Sequence, residues 1–178
     1  SNIYNTPRPS HADYPATVRY NGFNDINGSG HFSGRLTAVI NVAGFIAKEI
    51  LKQHDIYVFS HLYSLGDIVD ERFDDLKFTD YSYLKNKKIE VINDEIIDKI
   101  DKKIESLRDR KDSVGSSVET VVYNLRAGVG DTLFDSIESR LSQSYFGIGA
   151  VKSVEFGLGK SFNNTNASKV NDCYYIEY

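Results

Sequence analysis

Hydrophobic and polar positions repeat with different periods along the chain, and each period predicts an element. Residues 34–52 predict a helix. Leu36, Val39, Ile40, Val42, Phe45, Ile46 and Ile50 cover nearly its whole circumference. A helix that is apolar all round is buried on all sides, so a layer is expected on each face. Ser33 is the natural N-cap. Residues 56–65, rich in β-branched and aromatic side chains, predict a strand. Residues 66–93 are charged and mixed, and predict an exposed excursion.

Residues 94–110 carry Ile96, Ile97, Ile100, Ile104 and Leu107 on one stripe, with charges elsewhere. That pattern predicts an amphipathic helix with Asn93 as a plausible cap. Residues 117–127 predict a strand. Gly128-Val129-Gly130-Asp131 then turns into a helix over 132–145, with Leu133, Ile137, Leu141 and Tyr145 four apart. Residues 150–157 alternate as a strand, 158–171 are an Asn/Ser/Gly-rich loop, and 173–178 look like a closing strand. Residues 1–31 hold all three prolines and read as loop and short extended pieces. Helices and strands in this order predict a layered α/β or α+β domain.

Composition adds direction. The 178 residues are enough for a sizeable core, and 40% apolar with 26% charged is ordinary globular usage. The net charge of −4 argues against nucleic acid or an anionic membrane as partner. The longest apolar stretch, residues 36–47, is shorter than the about 20 residues a membrane span needs, and the first 30 residues lack the basic stretch and apolar core expected of a signal peptide. One cysteine, Cys173, makes a reducing compartment the default, and no metal-ligand spacing is present. Residues 70–112 carry 24 of the 46 charged side chains, which reads as a solvated face. The first 47 residues carry five, and every cation among them is an arginine: Arg8, Arg19 and Arg35. Arginine grips carboxylates and phosphates at two points, so the early stretch reads as a site.

Two segments there could carry chemistry. Arg8-Pro9-Ser10-His11-Ala12-Asp13 places an imidazole near an arginine and a carboxylate. It reads either as a general acid beside a held anion or as a loop histidine without a role. Asn27-Gly28-Ser29-Gly30-His31-Phe32-Ser33-Gly34-Arg35 runs into the apolar helix. It reads either as a phosphate- or carboxylate-binding loop or as a plain glycine turn with a serine cap. It matches neither a P-loop nor a dinucleotide fingerprint. His54 and His61 read as structural.

These blocks resemble one family. Arg8-Pro-Ser-His-Ala-Asp-Tyr14, Gly28-Ser-Gly-His-Phe-Ser-Gly-Arg-Leu-Thr-Ala38, Asp112-Ser-Val-Gly115, Phe134-Asp-Ser-Ile-Glu-Ser-Arg140, Ala150-Val-Lys-Ser-Val-Glu-Phe-Gly157 and Ala167-Ser-Lys-Val-Asn-Asp172 resemble, in order, blocks of the chorismate synthases. The resemblance implies an α+β layered β-α-β sandwich, with helices packed between antiparallel sheets. It implies a chain representing the middle of a longer one, as the absence of methionine also suggests. Further family blocks are expected before residue 1 and after residue 178.

The implied reaction is anti-1,4-elimination of phosphate from 5-enolpyruvylshikimate-3-phosphate, giving chorismate, with reduced FMN. A cytoplasmic homotetramer is implied. His11 is expected to supply a proton to flavin or phosphate and Arg35 to lie close to the substrate. His31, Phe32 and Ser33 match a flavin-contacting triplet. Gly149 and Ala150 match a flavin-touching pair, with glycine in place of a side-chain donor. The segment alone is expected to be inactive. A non-catalytic segment, or a phosphate-ligand binding domain, is the alternative.

Overall fold

A computed structural model describes residues 6–74 and 77–173. In chain order the elements are α1 (Asp13–Arg19), α2 (Thr37–Lys52), β1 (Tyr57–Leu65), β2 (Ile68–Val69), α3 (Ile97–Asp109), β3 (Ser116–Tyr123) and α4 (Ile137–Phe146), with short 3₁₀ turns between them. Two compact units form. One joins residues 1–41 to 128–178, and the other is Val42–Ala127.

The second unit is built on a three-stranded antiparallel sheet of order β2-β1-β3. Tyr57, Phe59 and His61 pair with Tyr123, Val121 and Glu119. Period two puts these six on one face. There Phe59 and Tyr123 pack with Phe73, Tyr81 and Leu84. The pairing shifts between Leu62 and Ser64, one extra residue on β1. This bulge resets the alternation, so Leu62 and Leu65, three apart, both pack against Val91, Ile96 and Ile100. The amphipathic stripe forms as expected: Ile96, Ile100 and Leu107 are buried. Asn93 accepts from the Glu95 amide at 2.9 Å, satisfying one of the open donors at the helix start.

His61 is the buried polar centre of this unit, 1% exposed. Its Nδ1 lies 2.9 Å from Asp70 and its Nε2 3.0 Å from Glu119. Asp70 also accepts from the Ile92 and Asn93 amides, at 2.5 and 2.9 Å. Glu119 accepts from the Phe73 amide at 3.0 Å. The structural reading of His61 holds. The excursion over 66–93 is not simply exposed, because it delivers Asp70, Phe73, Tyr81, Leu84 and Val91 to the interior. Their irregular spacing has no period to read. They are buried by docking of the segment, not by a repeating element.

In the other unit, the loop expected over 1–31 contains α1. Pro15 sits in its first turn, where a missing N–H costs nothing, and Asp13 is its first residue. The helix expected over 132–145 starts at Ile137, with Ser136 accepting from the Ser139 amide at 3.2 Å. Leu133–Asp135 is a separate 3₁₀ turn. The strand expected at 150–157 does not form. Val151 and Val154 are half-buried, but they lie three apart rather than two, and no strand among the described residues pairs with the segment. Without a partner a ladder has no hydrogen bonds to make. The loop over 158–171 tightens into turns at Gly159–Asn164 and Ala167–Lys169. The expected closing strand at 173–178 lies outside the described residues beyond Cys173.

Helix α2 forms over the expected span, but its expected burial is corrected. It carries no buried residue, and Val39 and Phe45 are 72% and 62% exposed. Thr37, Lys48 and Leu51 are half-buried, and the rest of the described helix is exposed. No helix among them is long and apolar enough to cross a membrane.

Candidate functional site

All seven residues singled out from the sequence lie in the unit formed by residues 1–41 and 128–178. The segment before α1 folds back on itself. Ser10 adopts φ 59°, and the His11 amide donates to the Arg8 carbonyl at 3.3 Å. This turn brings Arg8, His11 and Asp13 together. Arg8 grips the Asp13 carboxylate at two points: Nε donates to Oδ2 at 2.8 Å and Nη2 to Oδ1 at 2.9 Å. The Arg8 amide adds a third donor to Oδ2 at 3.0 Å. These hydrogen bonds hold the Asp13 carboxyl well below the usual carboxylate range and raise Arg8 further. His11 Nδ1 lies 2.6 Å from Asp13 Oδ1. The anion beside His11 is therefore a residue of the chain, and Arg8 is committed to it rather than offered to a ligand.

Arg8 Nη2 also donates to Ser29 Oγ at 3.1 Å, tying the histidine turn to the glycine segment. Ser29 (φ 74°) and Gly30 (φ 50°) are both left-handed. A Cβ on Gly30 would stand 2.5 Å from the Asp25 carbonyl oxygen. Glycine is thus required where the segment doubles back. His31 packs edge-on to Tyr20 at 5.4 Å and against Phe32 at 4.5 Å. Ser33 Oγ accepts from the Arg35 amide at 3.3 Å, capping the turn that leads into α2. Arg35 is exposed.

Gly149 and Ala150 follow α4 in a turn where Ala150 takes φ 71° and Gly149 has open space around its Cα. No hydrogen bond, ion pair or ring contact among the described residues joins this pair to the cluster around His11. An open cavity of about 530 Å³ lies beside α4, lined by Val129, Asp131, Asp135 and Arg140 among others. It includes none of the seven. Ser29 and Tyr20 were missed in the sequence. Ser29 has only its place in a glycine-rich run as a signal, and its contact spans 21 residues. No group of three or more His, Cys, Asp or Glu able to hold a metal is found among the described residues.

An imidazole oriented by a clamped carboxylate can transfer a proton. His31, Phe32 and Arg35 are exposed and Ser33 is half-buried within one short run, a set of rings, hydroxyl and cation that suits an anionic ligand with a ring system. A reduced flavin mononucleotide meets that description, so the residues present fit the group the motifs imply.

The chorismate synthase family model matches residues 1–178. The chorismate synthase of Pyrococcus abyssi is 40% identical over 174 residues, covering 98% of this chain and 48% of that protein. That of Dehalococcoides mccartyi is 35% identical over 172 residues, covering 96% and 46%. A solved structure, described as a crystal structure of chorismate synthase, superposes with a TM-score of 0.77 at 24% identity. It covers 90% of this chain and 51% of that one, which shows a shared fold. The chain spans about half the length of the curated relatives it matches. With the family's blocks running in order from end to end, the chain belongs to the chorismate synthase family.

Proposed function

We propose that the protein carrying this chain eliminates phosphate from 5-enolpyruvylshikimate-3-phosphate to give chorismate, and that residues 1–178 form the central part of that enzyme. The observation that carries this reading is the paired His11–Asp13 in a chain matched over its whole length by the family model. His11 supplies a proton to flavin or phosphate, the step for which an imidazole is suited near neutral pH. Arg35 holds the anionic substrate. His31, Phe32 and Ser33 present a ring face and a hydroxyl to the cofactor, and Gly149 and Ala150 let it approach the backbone closely. His31, Phe32 and Ser33 would hold reduced FMN, which would lend electron density to the breaking C–O bond with no net redox change. Assembly as a cytoplasmic homotetramer accords with the family resemblance.

The residues named here supply two imidazoles, His11 and His31, and two arginines, Arg8 and Arg35, of which Arg8 is committed to Asp13. A phosphate leaving group demands more preorganised donors than that, and catalysis falls steeply when such donors are removed. The segment alone is therefore expected to be inactive. Chorismate formation is measured with reduced FMN and substrate, using a chain of the relatives' full length carrying this sequence and, separately, residues 1–178. Turnover by the long chain only is the expected result. Turnover by the segment alone refutes the partial-site reading, and none by either refutes the assigned reaction.

A further inference from the structure

We propose that Asp13, fixed by Arg8, is a positioning residue that accepts the Nδ1–H of His11 and leaves Nε2 as the nitrogen that carries the working proton. This rests on the role proposed for His11 above, but its first test does not depend on the reaction.

The argument is a count of donors and acceptors. A neutral imidazole has one N–H and one lone pair, and the partner of each nitrogen decides which is which. Asp13 Oδ1 stands 2.6 Å from Nδ1. Arg8 Nη2 stands almost equally far from both ring nitrogens, at 3.2 and 3.3 Å, so it does not discriminate between them. Nη2 has two protons, and it donates to Asp13 Oδ1 and Ser29 Oγ. A guanidinium accepts nothing. Among the described residues the acceptor at the ring edge is thus the carboxylate, which places the proton on Nδ1. Arg8 holds Asp13 ionised, so the acceptor persists across the working range. The Arg8 charge also offsets that of Asp13. The carboxylate therefore orients the ring without adding net negative charge beside it. Ser29 completes the clamp by fixing the second Nη2 proton.

Asp13→Asn makes a directional test. The Arg8 amide and Nε both converge on Oδ2. An asparagine has one oxygen, and two donors claim that place. Its NH₂ group is then left facing His11 Nδ1, where only a lone pair fits. The substitution should invert the tautomer rather than merely weaken it, an effect of the kind that a carboxylate-to-amide change has on a catalytic histidine.

The measurement is the tautomer of His11 by long-range nitrogen–proton correlation on the ¹⁵N-labelled chain. Spectra are taken at a pH where the ring is neutral, and the His11 signals are those lost in His11→Gln. The expected result is an Nδ1–H ring in the parent and an Nε2–H ring in Asp13→Asn. An Nε2–H ring in the parent overturns the proposal, as does an unchanged tautomer in a folded Asp13→Asn. Should Asp13→Asn unfold, Asp13→Glu serves, since it keeps an acceptor: retention of Nδ1–H supports the proposal and its loss overturns it.

The second measurement is turnover in the long chain. Asp13→Asn should lower kcat by about 10²–10⁴-fold, with KM changed only a few-fold, and Asp13→Glu should recover part of the loss. Equal loss through KM alone overturns the positioning role. A parent that binds reduced FMN but makes no chorismate overturns the assigned reaction, while the tautomer result still decides the positioning of His11.

Discussion

Replacing Asp70 by alanine tests how the sheet-bearing unit is held together. The Asp70 side chain is wholly enclosed, as is the His61 ring it pairs with at 2.9 Å. Its oxygens also accept from the Ile92 and Asn93 amides, which fasten the 90–93 segment over the sheet. Alanine removes three hydrogen bonds at once. It leaves two backbone donors and one ring nitrogen without the acceptor they had, and among the described residues Glu119 remains as the carboxylate on His61. An unsatisfied buried donor costs about 1–3 kcal/mol, though water entering the new cavity recovers part of it. About 4 kcal/mol is a fair central figure, a large share of the about 5–15 kcal/mol that a domain has.

At a urea slope of about 2 kcal/mol per molar, that lowers the unfolding midpoint by about 2 M. The assay is urea unfolding followed by far-UV circular dichroism, with amide exchange at Ile92 and Asn93 as the local reporter. Both amides should lose protection in Asp70→Ala. The comparison variant is Lys103→Ala, which breaks the Asp67 pair at 2.7 Å on an exposed carboxylate. Surface pairs of that kind contribute little, so its midpoint should stay where it is. A shift below about 0.5 M in Asp70→Ala, at the same slope and with Ile92 and Asn93 still protected, would show that the enclosed carboxylate does not fasten this segment.

Gly30→Ala places a methyl 2.5 Å from the Asp25 carbonyl oxygen on a left-handed backbone. It should destabilise the unit containing it by about 1–2 kcal/mol in a thermal melt, and an unchanged melting temperature would refute the close approach. In acid, the sign for Asp13 follows from hydrogen bonding by Arg8, which depresses its folded value. The contribution of the clamp is present above the ordinary aspartate range near about 3.9 and is lost only as pH falls through the lower folded value. The Asp13 carboxyl carbon resonance should therefore stay that of a carboxylate as pH falls through about 4, and titration at the ordinary value would refute the two-point grip.

What the sequence disclosed depended on whether the cause of a feature was local. Helix α3 was legible because its stripe repeats every 3.6 residues and Asn93 marks its start. Strands β1 and β3 were legible because their β-branched and aromatic runs answer each other, Phe59 to Val121 and Tyr57 to Tyr123. The histidine turn was legible because Arg8, His11 and Asp13 fall within six residues. Ser29 was not, since its contact with Arg8 depends on a left-handed turn that composition permits at many places. Helix α1 hid behind Pro15, which signals a break in a helix interior and a start in its first turn. The burial of Asp70 and Phe73 hid because a docked irregular segment has no period. Two readings failed in a more telling way. Residues 150–157 alternate like a strand yet pair with nothing described, and α2 is apolar all round yet carries no buried residue. A pattern of burial records the surroundings in which a sequence works. Relatives about twice as long have a further half of chain with which to supply such surroundings. The unpaired strand pattern and the bare apolar helix are what a sequence adapted to those surroundings would show without them.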